Sequence, residues 1–99
     1  MKIMAITDPD TALAFRLAGI EAVSIIRKEE ASAALEKAAR HPDMGIVLVT
    51  ERIARDAQKT IRKLSHERHL PLFIEIPDTK GPIGKRPSAA ESMAAILRR

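Results

Sequence analysis

Lys2-Ile3-Met4-Ala5-Ile6-Thr7, running straight into Asp8-Pro9-Asp10-Thr11-Ala12, decides how the rest of the chain is read. The first six residues are mostly apolar and have the length of a strand. Asp8 can accept the unpaired amides at a helix start, and Pro9 suits the first helical position because it has no amide to leave unpaired. Gly19 then stands where a left-handed residue closes a helix. A strand that feeds directly into a capped helix is the first half of a βαβ unit, so a parallel partner strand is expected downstream.

Working outward, the same alternation recurs. Ala22–Ile26, Met44–Val49 and Leu72–Ile76 are further short runs rich in Ile, Val and Leu. Helical patterns fill Glu29–Arg40 and Glu51–His66, where Ile53, Ala57, Ile61 and Leu64 recur at helical spacing. A last helix is predicted at Ala89–Arg98, with Ser88 and Glu91 at capping-box spacing ahead of Met93, Ile96 and Leu97. Ile3–Ile6 and Ile46–Val49 are continuously apolar, as central parallel strands buried on both faces must be. The other two strands alternate, and Glu75 within Leu72–Ile76 suits an edge that must not recruit another sheet. With right-handed crossovers the predicted order is 2-1-3-4. The fold class is therefore α/β: a four-stranded parallel sheet in a flavodoxin-like three-layer sandwich, with a globular body over residues 1–87 and a C-terminal helix over 88–99 that could be mobile.

Bulk properties narrow the function classes. A chain of 99 residues is one domain with a modest core. It has no cysteine, which removes disulfides and thiolate chemistry and fits a reducing compartment. Its only aromatics are two phenylalanines, Phe15 and Phe73, too few for a site of stacked rings. No apolar run approaches the roughly 20 residues needed to span a bilayer, and the opening lacks signal-peptide organisation, so the expected location is the cytoplasm. Charge is uneven: residues 1–50 hold six Lys or Arg against seven Asp or Glu, and residues 51–99 hold eleven against six. A one-sided basic field suits an acidic partner.

Several chemistries can be weighed at the point where the strand order reverses, between strands 1 and 3. Asp8-Pro9-Asp10 resembles the acidic pocket of aspartate phosphotransferases and response-regulator receivers, which act through Mg²⁺. A receiver also needs an aspartate ending strand 3, where this chain has Thr50, and a lysine after a fifth strand that is lacking. The plainer reading is that Asp8 caps the helix and Asp10 favours its positive end. Gly81-Pro82-Ile83-Gly84-Lys85-Arg86 has a faint phosphate-loop look. It lacks the first glycine, where Thr79 stands, and the hydroxyl after the lysine, where Arg86 stands. His66 and His69 are three apart but Pro71 closes the segment, and His41 is alone, so no metal site is expected. The basic run Arg52, Arg55, Lys59, Arg62, Lys63 is interrupted by Glu51, Asp56 and Glu67 and has no interleaved aromatic, which argues against nucleic acid. No catalytic residue, cofactor or metal is expected.

Three stretches taken together resemble the F subunit of the V-type and archaeal-type rotary ATPases. They are Ile6-Thr7-Asp8-Pro9-Asp10-Thr11-Ala12 continuing through Phe15-Arg16-Leu17-Ala18-Gly19, then Val49-Thr50-Glu51-Arg52-Ile53-Ala54, and finally Leu70-Pro71 with Glu75-Ile76-Pro77-Asp78 and Gly81-Pro82-Ile83. Each motif alone is weak; their order and spacing along nearly the whole chain is what carries the resemblance. It implies a non-catalytic rotor component of the central stalk, docked on the coiled-coil shaft formed by the D subunit. The A and B subunits would hydrolyse or make ATP, and a membrane ring would carry H⁺ or Na⁺. It also implies a C-terminal helix able to reach the A/B head, although here that helix is short.

A rotor component needs a surface with an apolar centre and a charged rim. The candidate partner interface is the rim at the strand ends: Phe15 and Arg16, Thr50, Glu51, Arg52 and Ile53, and the loop from Ile76 through Lys80, Gly81, Pro82, Lys85 and Arg86. Met93, Ile96 and Leu97 are the candidate apolar stripe of the mobile helix. A competing reading is a stand-alone receiver-like signalling or small-ligand domain that uses the Asp8/Asp10 crevice.

Overall fold

The computed structural model describes residues 1–78. The predicted C-terminal helix, with Met93, Ile96 and Leu97, the loop residues Lys80, Gly81, Pro82, Lys85 and Arg86, and the division between 1–87 and 88–99 lie outside the described residues.

In chain order the elements are β1 (Lys2–Thr7), α1 (Pro9–Leu17), β2 (Glu21–Ser24), α2 (Glu30–Arg40), β3 (Met44–Thr50), α3 (Glu51–Asp56), α4 (Gln58–Glu67) and β4 (Leu72–Ile76). All strand pairs are parallel, and the sheet order is β2-β1-β3-β4. This is the α/β topology read from the strand chemistry: the continuously apolar runs are central, and the strand carrying Glu75 is an edge.

Local rules explain the boundaries. The Asp8 side chain caps α1 by accepting from the Thr11 amide, with Pro9 in the first turn. Gly19 has φ +84°, the left-handed region that costs a glycine nothing, and its amide donates to the Arg16 carbonyl. The second strand sits slightly earlier than expected. Ile25 still donates its amide to Thr7, but Ile26 is 81% exposed and has left the sheet.

One expectation needs correction. The continuous helix predicted over Glu51–His66 is divided at Ala57, whose φ of −115° and ψ of 26° leave the helical region. The flanking bonds survive, since Ala57 N–H donates to Ile53 O and Ile61 N–H to Ala57 O. The stripe survives too: Ile53, Ala57 and Leu64 are buried in one cluster, with Ile61 packed against it. The sequence pattern reported the buried face correctly and was silent about the break at Ala57.

The two sides of the sheet differ. Ile6, Leu35, Val47 and Val49 are fully buried in a large cluster built with α2, α3 and α4. On the other side α1 contributes a small cluster of Ala5, Ala12 and Ala22, with Phe15 and Leu48 packed against it.

Candidate functional site

The crevice at the carboxyl ends of β1 and β3 is built by Thr7, Asp8, Thr50 and Glu51. Thr7, Thr11 and Thr50 are all buried. Both carboxylate oxygens of Asp8 are engaged within its own turn: Thr11 donates its backbone N–H to Oδ2 at 3.3 Å and its hydroxyl to Oδ1 at 2.6 Å. Burial pushes the Asp8 carboxyl up, but the bonds from Thr11, with help from nearby backbone amides, outweigh it and hold the group below its ordinary value. Such a carboxylate is a good helix cap and a poorer nucleophile. Thr50, where a receiver would place its acceptor aspartate, buries an Oγ1 that has no hydrogen-bond partner among the described residues. Among the described residues, no group of three or more His, Cys, Asp or Glu is placed to hold a metal ion.

Thr50, Glu51, Arg52, Ile53 and Ile76 of the expected rim gather at the carboxyl ends of β3 and β4, whereas Phe15 and Arg16 close α1 near the start of β2, and most of these residues are occupied in holding the fold. Phe15 packs half-buried on the small cluster under α1. The Arg16 guanidinium donates to the Ala22 carbonyl at 2.9 Å and so reaches across to the outer edge of β2. Thr50 and Ile53 are buried in the core. Arg52 Nε donates to Asp78 Oδ2 at 2.9 Å, in an ion pair whose aspartate side chain is only 4% exposed. Glu51 and Ile76 are half-buried, and Ile76 lies in register with Thr50.

Sequence reasoning missed a larger apolar area below this rim. Register pairs Ile3 with Ile46 and Ile46 with Leu72, then Ala5 with Leu48 and Leu48 with Ile74. Alternate residues of a strand share a face, so these six side chains form two apolar rows on the α1 side of the sheet. Helix α1 covers the β1–β2 half of that side. On the β3–β4 half, Leu72 remains 55% and Ile74 43% exposed, and Ile3 of β1, across Ile46 from Leu72, is 46% exposed. The alternation of Leu72, Ile74 and Ile76 was visible in the sequence; that no described helix covers it was not.

These features define a class: a parallel α/β domain whose switch-point carboxylate serves the fold, and whose sheet leaves an apolar face partly open among the described residues. The profile of the family described as ATP synthase (F/14-kDa) subunit matches residues 3–93. The chain belongs to that family. It is similar to the F subunit of the A-type ATP synthase of Methanococcus maripaludis strain C5, at 33% identity over 84% of this chain and 80% of the relative. It is also similar to the F subunit of the A-type ATP synthase of Methanococcus vannielii, at 34% over the same shares. The F subunit of the V-type ATP synthase of Fusobacterium nucleatum is 34% identical over 83% of this chain and 76% of its own length. Among the described residues no helix is long and apolar enough to cross a membrane.

Proposed function

We propose that this chain is a non-catalytic rotor subunit of a rotary ATPase or ATP synthase, peripheral to the membrane in the cytoplasm. It docks on the coiled-coil shaft formed by the D subunit and helps couple ATP hydrolysis or synthesis to H⁺ or Na⁺ movement. Family membership supports the complex, and one observation supports docking over chemistry. The Asp8 carboxylate is engaged in a cap, while Ile3, Leu72 and Ile74 leave an apolar sheet face open. Apolar area of that kind, edged by charged residues, is what a durable protein interface uses. In this reading the sheet face is the apolar centre. Glu51 and Arg52 supply its charged rim, and Lys80, Lys85 and Arg86, with Gly81 and Pro82 in the same stretch of sequence, are proposed to add basic charge to it.

The segment 88–99 has a part in the same proposal. Its stripe of Met93, Ile96 and Leu97 can serve the A/B head or return to the body. By sequence, full burial of each side chain would contribute about 1.5–3 kcal/mol, against about 1–2 kcal/mol per residue for ordering. Hydrogen exchange on the isolated protein tests this part: residues 89–98 should exchange faster than β1 and β3, and equal protection would overturn it. Co-purification with the D subunit tests the docking itself. A chain that hydrolyses a phosphorylated substrate through Asp8 would overturn the non-catalytic reading.

A further inference from the structure

A second surface, at the opposite end of the sheet from that rim, is not used by the proposed function. Lys2, Glu21 and Met44 begin β1, β2 and β3, and they meet the last turns of α2 around a groove of about 480 Å³. That is within the 300–1,000 Å³ typical of binding clefts. Its floor is apolar. Met4, Val23 and Ala34 are half-buried, and Ala38 and Met44 close the bottom. Its rim is mostly cationic. Lys2 is paired with Glu21 at 3.2 Å, and Arg40 reaches Glu36 only at 3.8 Å, while Lys37 is exposed and has no ion pair among the described residues.

We propose that this groove docks an acidic amphipathic helix of a partner protein, with an apolar side chain on the Met4–Val23 floor and carboxylates facing Lys37 and Arg40. Two observations favour a helix over an added strand. The groove runs beside the edge strand β2, where a peptide strand would need free backbone groups. Ile25 N–H is turned toward β1, so by alternation the Ala22 carbonyl faces outward, and Arg16 already occupies it. On the other wall, Ala34 and Ala38 are four apart on one face of α2 and present no bulk to keep a helix axis away. Charge complementarity sets the partner's sign: past the Lys2–Glu21 pair the rim is net positive, so the complementary helix is acidic.

The test uses the full chain and a synthetic helical peptide of Leu and Glu residues with its Leu on one face. A twin peptide carries Lys for Glu, and decanoate is a small-amphiphile probe. The acidic peptide should bind and shift amides of β2 and α2, and the basic twin should not. Lys37→Glu with Arg40→Glu should weaken binding about tenfold or more, because attraction becomes repulsion at two sites. Ala34→Leu should weaken it by filling the floor without changing charge. Lys59→Glu with Lys63→Glu, an equal charge change on exposed positions of α4, should stay within about twofold. The proposal is overturned by no binding of the acidic peptide, by equal binding of the twin, by shifts confined to α4, or by decanoate displacing the peptide at lower concentration.

Discussion

The two faces of the sheet are made by the same strands and do different things. Under α2, α3 and α4, large side chains interlock: Ile6, Leu35, Val47 and Val49 have no exposed surface. Under α1, the buried apolar residues are three alanines, and the larger apolar residues of β3 and β4 on that side stay partly open. The first face holds the domain together. The second is a surface kept apolar at some cost in solubility, which is reasonable only if something covers it. Substitutions should therefore divide by face, with stability responding on one side and association on the other.

The largest stability effect is expected at Leu35. Leu35→Ala removes a fully buried side chain from the large cluster and should cost about 2–5 kcal/mol in denaturant unfolding. Ile74→Ala, on the open face, should cost about 1 kcal/mol or less because much of that side chain is already in water. Equal losses at the two positions would erase the distinction between the faces.

Next in size is the ion pair at the end of β4. Arg52→Ala leaves the largely buried Asp78 carboxylate without its guanidinium and should cost about 1.5–3 kcal/mol. The comparison with Arg40→Ala sharpens it: Arg40 meets Glu36 at 3.8 Å on an exposed helix surface, where about 0–0.5 kcal/mol is expected.

The Asp8 cap gives a smaller effect with a pH signature. Asp8→Ala should cost about 1 kcal/mol at neutral pH. The folded-state pKa lies below the ordinary value, so the carboxylate stabilises the fold fully above the ordinary carboxyl range, near about pH 4. That contribution is lost as pH falls through the lowered folded-state pKa, and in strong acid wild type and Asp8→Ala should converge. Asp8→Asn keeps a capping oxygen and should show less pH dependence than wild type in that window. Parallel curves down to strong acid would show that the cap does not depend on the charge.

The smallest expected change is at Thr50. Its buried hydroxyl has no hydrogen-bond partner among the described residues, so Thr50→Val should be neutral or slightly stabilising, within about 0.5 kcal/mol. A marked loss in thermal unfolding would mean that the hydroxyl has a partner in solution.

How much of this was legible depended on sequence separation. Ile3–Ile6 and Ile46–Val49 announced central strands because burial on both faces leaves no room for polar alternation. Asp8-Pro9 and Gly19 announced the ends of α1 because caps are local chemistry. The features that bear on function join distant residues. Arg52 meets Asp78 across 26 positions, and Arg16 reaches Ala22 only because α1 folds back along β2. The groove beside α2 draws on Lys2, Val23, Ala34 and Met44, four positions with no common pattern along the chain. The turn at Ala57 left no trace in the stripe because both halves bury the same face. Periodicity reports which side of an element is covered, but an uncovered apolar side looks the same in sequence as a covered one.

The measurement that bears most directly on the docking reading is the affinity of the full chain for the purified D subunit, by calorimetry, for wild type and for Leu72→Asp with Ile74→Asp. Wild type should bind tightly, and the double variant should remain folded and bind at least about tenfold more weakly, since two charges would be placed in an apolar contact. No binding by wild type, or equal binding by the folded variant, would contradict the claim that this sheet face is where the chain meets its shaft.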